Sequence, residues 1–172
     1  MPTVFSLSAL GRRHDAWLRH LYAGGRGNAT ARRFARFWAV AFRLGLQPRR
    51  WVTLEVPGRR TGIPLRVPLG MADWDGEWYL VSMLGECNWV RNVRAAGGRA
   101  TLSRLGSHPV HLTEVPVGQR AAILRRYLDT VPGARPHLPV DRRDPLTSFE
   151  AIAAQYPVFR VETVSGKSHR LS

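Results

Sequence analysis

Two stretches of this chain combine residue types that can hold an anion beside a flat ligand. The first is Gly58-Arg59-Arg60-Thr61-Gly62-Ile63-Pro64-Leu65-Arg66. Its glycines allow a tight bend with exposed backbone N–H groups. Arg59 and Arg60 at the tip, Arg66 on the returning segment and the Thr61 hydroxyl can then surround a phosphate or carboxylate. An ordinary exposed hairpin with solubilising charge has the same composition, so this stretch alone leaves both readings open. It is not a nucleotide P-loop, which needs longer spacing and a lysine. The second stretch runs from Ser82 to Gly98, where a strand ends in a Gly85-containing loop and passes into a short helix. A helix start presents unpaired N–H groups and a positive dipole end, suited to a phosphate or a heterocycle carbonyl. Trp89, Asn92 and Ala96 share one face of that helix, with Arg91 and Arg94 beside it. Trp89 is also large enough to fill a core by packing alone.

Other reactive side chains make weaker cases. His108 and His111 are three apart, which on a strand puts them on opposite faces, and no acid flanks them. A shared metal ion is not expected there. Cys87 has Arg91 close in sequence, yet a lone cysteine at a loop-to-helix junction is more often a small packing residue. No Gly-x-Ser-x-Gly elbow occurs. The residues therefore point to ligand binding, and none is assigned as a catalytic nucleophile, acid or base.

The elements that must position these stretches are legible from periodicity. Trp51–Val56 alternates as a half-buried strand, Pro57 to Gly62 is turn chemistry, and Leu65–Met71 returns as a second strand. A turn at Asp73–Gly76 leads to a third strand over Glu77–Met83. The helix carrying Trp89, Val90, Val93 and Ala96 stops at Gly97-Gly98. Strands over Ala100–Leu105 and Val110–Val115 follow, joined by a turn at Gly106-Ser107-His108-Pro109. Pro116 opens a helix to Thr130, a Pro-rich loop spans Val131–Pro145, a short helix covers Ser148–Gln155, and Pro157–Thr163 is the last strand. Upstream, Ser8 to Gly45 reads as two helices, the second with Phe34, Phe37, Trp38, Ala41 and Phe42 opposite Arg32, Arg36 and Arg43. Hairpins with one short helix between strands predict an α+β fold built on a small barrel, not a doubly wound parallel sheet.

Composition bounds the class. The 172 residues suit one domain with a substantial core, and 44% hydrophobic with 22% charged residues is a folded-protein balance. The single cysteine excludes an internal disulfide and fits a reducing cytoplasm. No apolar run is long enough to span a bilayer, and the first residues do not read as a secretory signal. The net charge of +14 rests on 25 arginines and one lysine, and residues 1–50 hold ten of the arginines against the single acid Asp15. Anionic partners follow from that charge. The basic amphipathic helix suits peripheral contact with an anionic membrane as well as packing on the barrel. Nucleic acid is not expected, because no base-reading motif accompanies the charge.

Gly58 to Leu69 together with Trp89 to Gly98, about thirty residues apart, resembles the deazaflavin-dependent nitroreductase and quinone reductase family. The resemblance covers roughly Trp51 to Thr163, including Pro157 to Glu162. It implies a small split β-barrel of the FMN-binding type with peripheral helices, to which the basic helical segment over 1–50 read from periodicity is an N-terminal extension. Residues 51–163 would be the cofactor domain and 164–172 a frayed tail. It implies an actinobacterial, cytoplasmic oxidoreductase passing hydride from reduced coenzyme F-420 (an 8-hydroxy-5-deazaflavin) to a small electron-poor acceptor such as a quinone or nitroaromatic. FMN binding or a non-catalytic carrier on the same fold is the alternative, as is a basic protein of membrane surfaces, and a homodimer formed through the sheet is a further expectation. By the resemblance, Arg59, Arg60, Thr61, Gly62 and Arg66 hold the phosphate and polyglutamate tail, and backbone at Val67 and Pro68 flanks the ring. Ser82, Met83 and Gly85 line the ring and phosphate side, while Trp89, Asn92 and Arg94 close the pocket. Two features depart from the family pattern. The Gly85–Asn88 loop is compact, and Phe149 stands where a tyrosine is expected, without a hydroxyl to offer an acceptor.

Overall fold

Val52, Leu54 and Val56 point one way from the first strand and Trp51, Thr53 and Glu55 the other, and this alternation organises the whole body. The computed structural model describes residues 50–164. The helical readings over 8–45, the rest of the 1–50 extension and the tail beyond 164 lie outside the described residues. Six antiparallel strands close into a barrel in the order β1-β2-β3-β6-β5-β4, with β4 pairing back onto β1. They are β1 (Trp51–Pro57), β2 (Pro64–Trp74), β3 (Glu77–Val81), β4 (Arg99–Ser103), β5 (Ser107–Glu114) and β6 (Val158–Thr163). Among the described residues three α-helices accompany them: α1 (Asn88–Ala95), α2 (Arg120–Thr130) and α3 (Leu146–Ile152).

Two hydrophobic layers result. Inside the barrel, Leu54, Met71, Leu80, Leu102, Leu112 and Phe159 meet Trp89, Val90 and Val93 of α1, which stops one end of the barrel. On the outer face of β2, β3 and β6, Ala72, Tyr79, Val81 and Val158 pack under α2 and α3 through Leu124, Tyr127, Leu128 and Phe149. Arg126 of α2 and Arg50 both bind the Asp73 carboxylate, which they hold well below the usual carboxylate range. That pins α2 to the β2–β3 turn.

The elements expected over residues 51–163 are all present with shifted edges. The β4–β5 turn lies over residues 104–106, so Ser107, His108 and Pro109 begin β5 where a turn was expected. Pro109 sits near that strand's start, where a proline is tolerated. The segment after Pro116 makes a 3-10 turn before α2 begins at Arg120, and the Pro-rich loop contains another over Pro132–His137. The last helix begins at Leu146, directly after Pro145, and ends in a 3-10 turn over Ala153–Gln155.

Gly98 is where the chain turns from α1 into β4, at φ +80°, with its Cα hydrogen facing Leu112 O and the His111 ring. A Cβ there would lie 2.6 Å from Leu112 O and 2.8 Å from His111 Nε2. Gly98→Ala is therefore expected to lose about 2–4 kcal/mol from left-handed strain plus overlap with backbone that cannot yield. Urea unfolding would show it as a lower midpoint, whereas Gly76→Ala, also at positive φ but in open space, loses only the strain.

Candidate functional site

The β1–β2 tip is closed by Gly58 N–H to Ile63 O at 3.0 Å and Gly62 N–H to Gly58 O at 2.8 Å, with Gly62 at φ +71°. This bend throws Arg59 toward α1. The Arg59 backbone N–H and guanidinium both donate to Asn92 Oδ1, at 3.3 and 2.9 Å. Asn92 is 5% exposed, so the two stretches singled out by sequence are joined through a buried amide. The joint lies at the end of the barrel that α1 closes.

The loop before α1 is ordered by its own atoms. Ser82 is buried, and its hydroxyl donates to Gly85 O at 2.6 Å with Cys87 Sγ 3.2 Å away. Gly85 adopts φ +67°, and a Cβ there would touch Gln155 O at 3.0 Å. Met83 is half-buried against the helix layer. Ser82 and Met83 thus hold the loop's shape. Trp89 is 6% exposed inside the barrel, its ring centroid 5.5 Å from that of Phe159. It stops the barrel mouth, which is the packing role, and offers almost no surface to a ligand.

Beside the tip, Glu55, Pro57, Pro64, Arg99, Ala100 and Thr101 line a shallow cleft of about 220 Å³ on the outer face of β1, β2 and β4. Register fixes what shares that face: Glu55 pairs with Arg66 and Thr101, and Thr53 pairs with Pro68 and Ser103. Val67 points the other way, into the barrel core. Pro68, Arg66 and the cleft therefore form one continuous outer strip.

The arginines are not equivalent. Arg66 Nε lies 2.5 Å from Glu55 Oε2. Arg94 bonds Glu86 at 2.6 Å and Glu114 at 2.7 and 2.8 Å, and these contacts raise its basicity further while Arg94 lowers the Glu114 pKa. Two carboxylates thus already neutralise Arg94. Glu86, an acid unexpected beside an anion site, is the reason the loop is tied to α1. Arg60 and Arg99 are exposed and have no acidic partner among the described residues. Thr61 Oγ1 accepts from Ile63 N–H at 3.3 Å, stiffening the tip.

Sequence reasoning missed Arg99 and Thr53. Arg99 follows Gly97-Gly98 and was hidden among 25 arginines; only the β1–β4 pairing brings it beside the tip. Thr53 was legible as outward-facing, but not as buried. Among the described residues its hydroxyl is the only buried side-chain polar atom without a hydrogen-bond partner. Phe149 is fully buried under α2, so it faces the helix-layer core and not a ligand. A second cleft of about 340 Å³ between the β2–β3 turn, β5, β6 and α2 exposes Trp74 and receives Tyr79, Gln119 and Arg160. No group of three metal-ligating side chains occurs among the described residues, and His111 instead approaches Gly97 O and Glu162. No described helix is long and apolar enough to cross a membrane.

The family model described as F420H(2)-dependent quinone reductase matches residues 29–142. Among solved structures, an F420-H2 dependent reductase, FDR-A, is 19% identical with TM-score 0.46, covering 66% of this chain and 95% of its own. A FAD-binding protein from Mesorhizobium loti is 18% identical with TM-score 0.45, covering 73% and 88%. An F420 reductase is 17% identical with TM-score 0.43, covering 72% and 94%. No curated protein matches the chain.

Proposed function

The chain belongs to the family of quinone reductases that depend on reduced coenzyme F-420, and from that premise we propose that it passes hydride from this cofactor to a quinone or nitroaromatic. The observation that carries the site assignment is the Arg59–Asn92 joint, which brings the hairpin tip and α1 to one end of the barrel. The cofactor has a flat ring, a phosphate and a polycarboxylate tail, and the residues present fit each part. Arg60 and Arg99, free of acidic partners among the described residues, would hold phosphate and tail. Gly62 and Thr61 shape the tip that carries Arg60. The strip beside Pro68 would take the ring, with the Gly85 loop as its neighbour beyond the helix start.

When bound, the reduced cofactor supplies the hydride and the protein supplies position. Arg59 serves from behind, fixing the tip to α1 instead of meeting the anion directly. Arg66 and Arg94, each balanced by carboxylates, set the shape of the strip and loop more than its charge. Trp89, Val90 and Val93 of α1, buried in the barrel mouth next to the tip, keep that end of the barrel closed to water.

Equilibrium binding of oxidised F-420 and, in parallel, FMN tests this reading, followed through the ligands' own fluorescence. F-420 is expected to bind more tightly than FMN. The Arg60→Ala/Arg99→Ala variant should bind F-420 about 100-fold more weakly, since each lost charge-assisted bond counts about 1.5 kcal/mol. Its unfolding midpoint should match the parent, because both side chains are exposed. Tighter binding of FMN, or full affinity in the double variant, would assign the site differently. Oxidation of the reduced cofactor by quinones and nitroaromatics then ranks the acceptors.

A further inference from the structure

The two ends of the barrel are finished differently. Trp89, Val90 and Val93 of α1 fill the end where β3 stops and β4 starts. At the other end the register gathers the start of β1, the β2–β3 turn, the β4–β5 turn and the end of β6. There Trp51 pairs with Gly70, Trp74 with Glu77, Ser103 with Ser107 and Thr163 with Val110. Large apolar side chains stand exposed on these neighbouring strand ends: Trp74, Trp78, Leu105 and Val164, with Leu105 at 72%. Scattered singly they would need no explanation, but grouped around one barrel end they mark a contact surface. Asp75 and Glu77 lie on the same turn and form no ion pair among the described residues.

Arg50 shows what suits this surface. Its guanidinium lies 5.6 Å from the centroid of the Trp78 ring and pairs with Asp73. Arg50 is also where residues 1–49 join the barrel, and their sequence complements this end in charge and in apolar content. They hold nine arginines against the single acid Asp15. Phe34, Phe37, Trp38, Ala41 and Phe42 recur at a spacing that gathers them on one side of a helix. Seven residues lie between Phe42 and Arg50, a reach of at most about 30 Å. The aromatic cluster is thus tethered close to the exposed barrel end.

We propose that this end of the barrel is the docking site for residues 30–46 of the chain itself. Their aromatic side covers Trp74, Trp78, Leu105 and Val164, and their excess of arginine is matched to Asp75 and Glu77. The barrel is then stopped at both ends, by α1 at one and by the chain's own leading segment at the other. A membrane surface and a second copy of the chain are the rival occupants, and the test separates them.

The full chain with Leu105→p-benzoylphenylalanine is photo-crosslinked, and the adduct is expected on residues 30–46 of the same chain. Tryptic cleavage after Arg36 and Arg43 is timed in the parent, in Trp74→Ser/Leu105→Ser, in Phe37→Ser/Phe42→Ser and in all four substitutions together. Each double variant should be cleaved about tenfold faster than the parent, and the fourfold variant no faster than either, because both doubles remove one shared contact. Cleavage within residues 51–163 should stay unchanged in Trp74→Ser/Leu105→Ser, since both side chains are exposed. The parent's rate in either double variant, or additive acceleration in the fourfold variant, overturns the docking. No adduct, or an adduct between two chains, overturns it as well, the second outcome giving the surface to another copy. Loss of the adduct on adding vesicles of phosphatidylcholine and phosphatidylglycerol gives the surface to a membrane and also overturns it.

Discussion

Replacing Arg120 by methionine is expected to remove about 3–5 kcal/mol of stability, the largest single loss predicted for a side chain in this fold. Arg120 opens α2 and is 6% exposed. Its Nε donates to Val115 O at 2.8 Å, its Nη1 to Ala153 O at 3.3 Å and Tyr156 O at 3.4 Å, and its Nη2 to Glu114 Oε1 at 3.0 Å. One planar guanidinium therefore ties the end of β5, the turn after α3 and the start of β6 to α2. Methionine matches its length and apolar stem but leaves three carbonyls without that donor and Glu114 with Arg94 alone. A domain of this size has only about 5–15 kcal/mol in total, so the variant should be marginal at low urea. Arg125→Met, on the same helix and without an ion pair among the described residues, should stay within about 0.5 kcal/mol. A lysine at position 120 should recover only part of the loss, since an ammonium lacks the planar fork that reaches all four acceptors. Equilibrium unfolding with an unchanged m value is the measurement.

How far such features could be read from sequence depends on whether they are local. Strand alternation at Val52, Leu54 and Val56, and the helical spacing of Trp89, Val90 and Val93, are short-range signals, and both elements form where expected. The barrel follows from hairpins joined by short turns. Closure of β4 onto β1 is a long-range pairing, and no residue within either strand announces it. The site divides in the same way. The tip at Gly58–Gly62 and the loop at Gly85 were visible because glycine and arginine mark them. What each arginine does was not visible, because its partner is distant in sequence: Asn92 for Arg59, and Glu114 for Arg94 and Arg120. Of five arginines near the site, the pairing pattern leaves Arg60 and Arg99 to meet a ligand, and sequence nominated only the first. Trp89 is the converse case, a residue read both as packing and as pocket wall. Its size marked it as important, and the fold uses that size to fill the barrel mouth.

Asn92 offers the sharpest separation between holding the site together and touching the ligand. Its Oδ1 takes both hydrogen bonds from Arg59, so the side chain acts as the clasp between tip and helix. Asn92→Ala removes the acceptor and leaves a cavity under α1; the expected loss is about 1–3 kcal/mol of stability. Affinity for F-420 should fall about tenfold as well, because the tip carrying Arg60 is no longer preorganised. Asn92→Asp is the informative partner. It keeps an oxygen where Arg59 reaches it and adds a charge that the guanidinium can balance, so stability should remain within about 1 kcal/mol of the parent. The same charge stands beside a site for an anionic cofactor, and at close range in a partly buried setting it should still lower affinity about tenfold. Added salt should narrow that deficit for the aspartate variant and leave the alanine variant's deficit in place, since only the first is electrostatic. Thermal melts and F-420 titrations at two ionic strengths read both effects. Equal affinity of parent and aspartate variant at low salt would move the cofactor's phosphate away from this joint, whereas salt-sensitive weakening places it within reach of Asn92 and the tip.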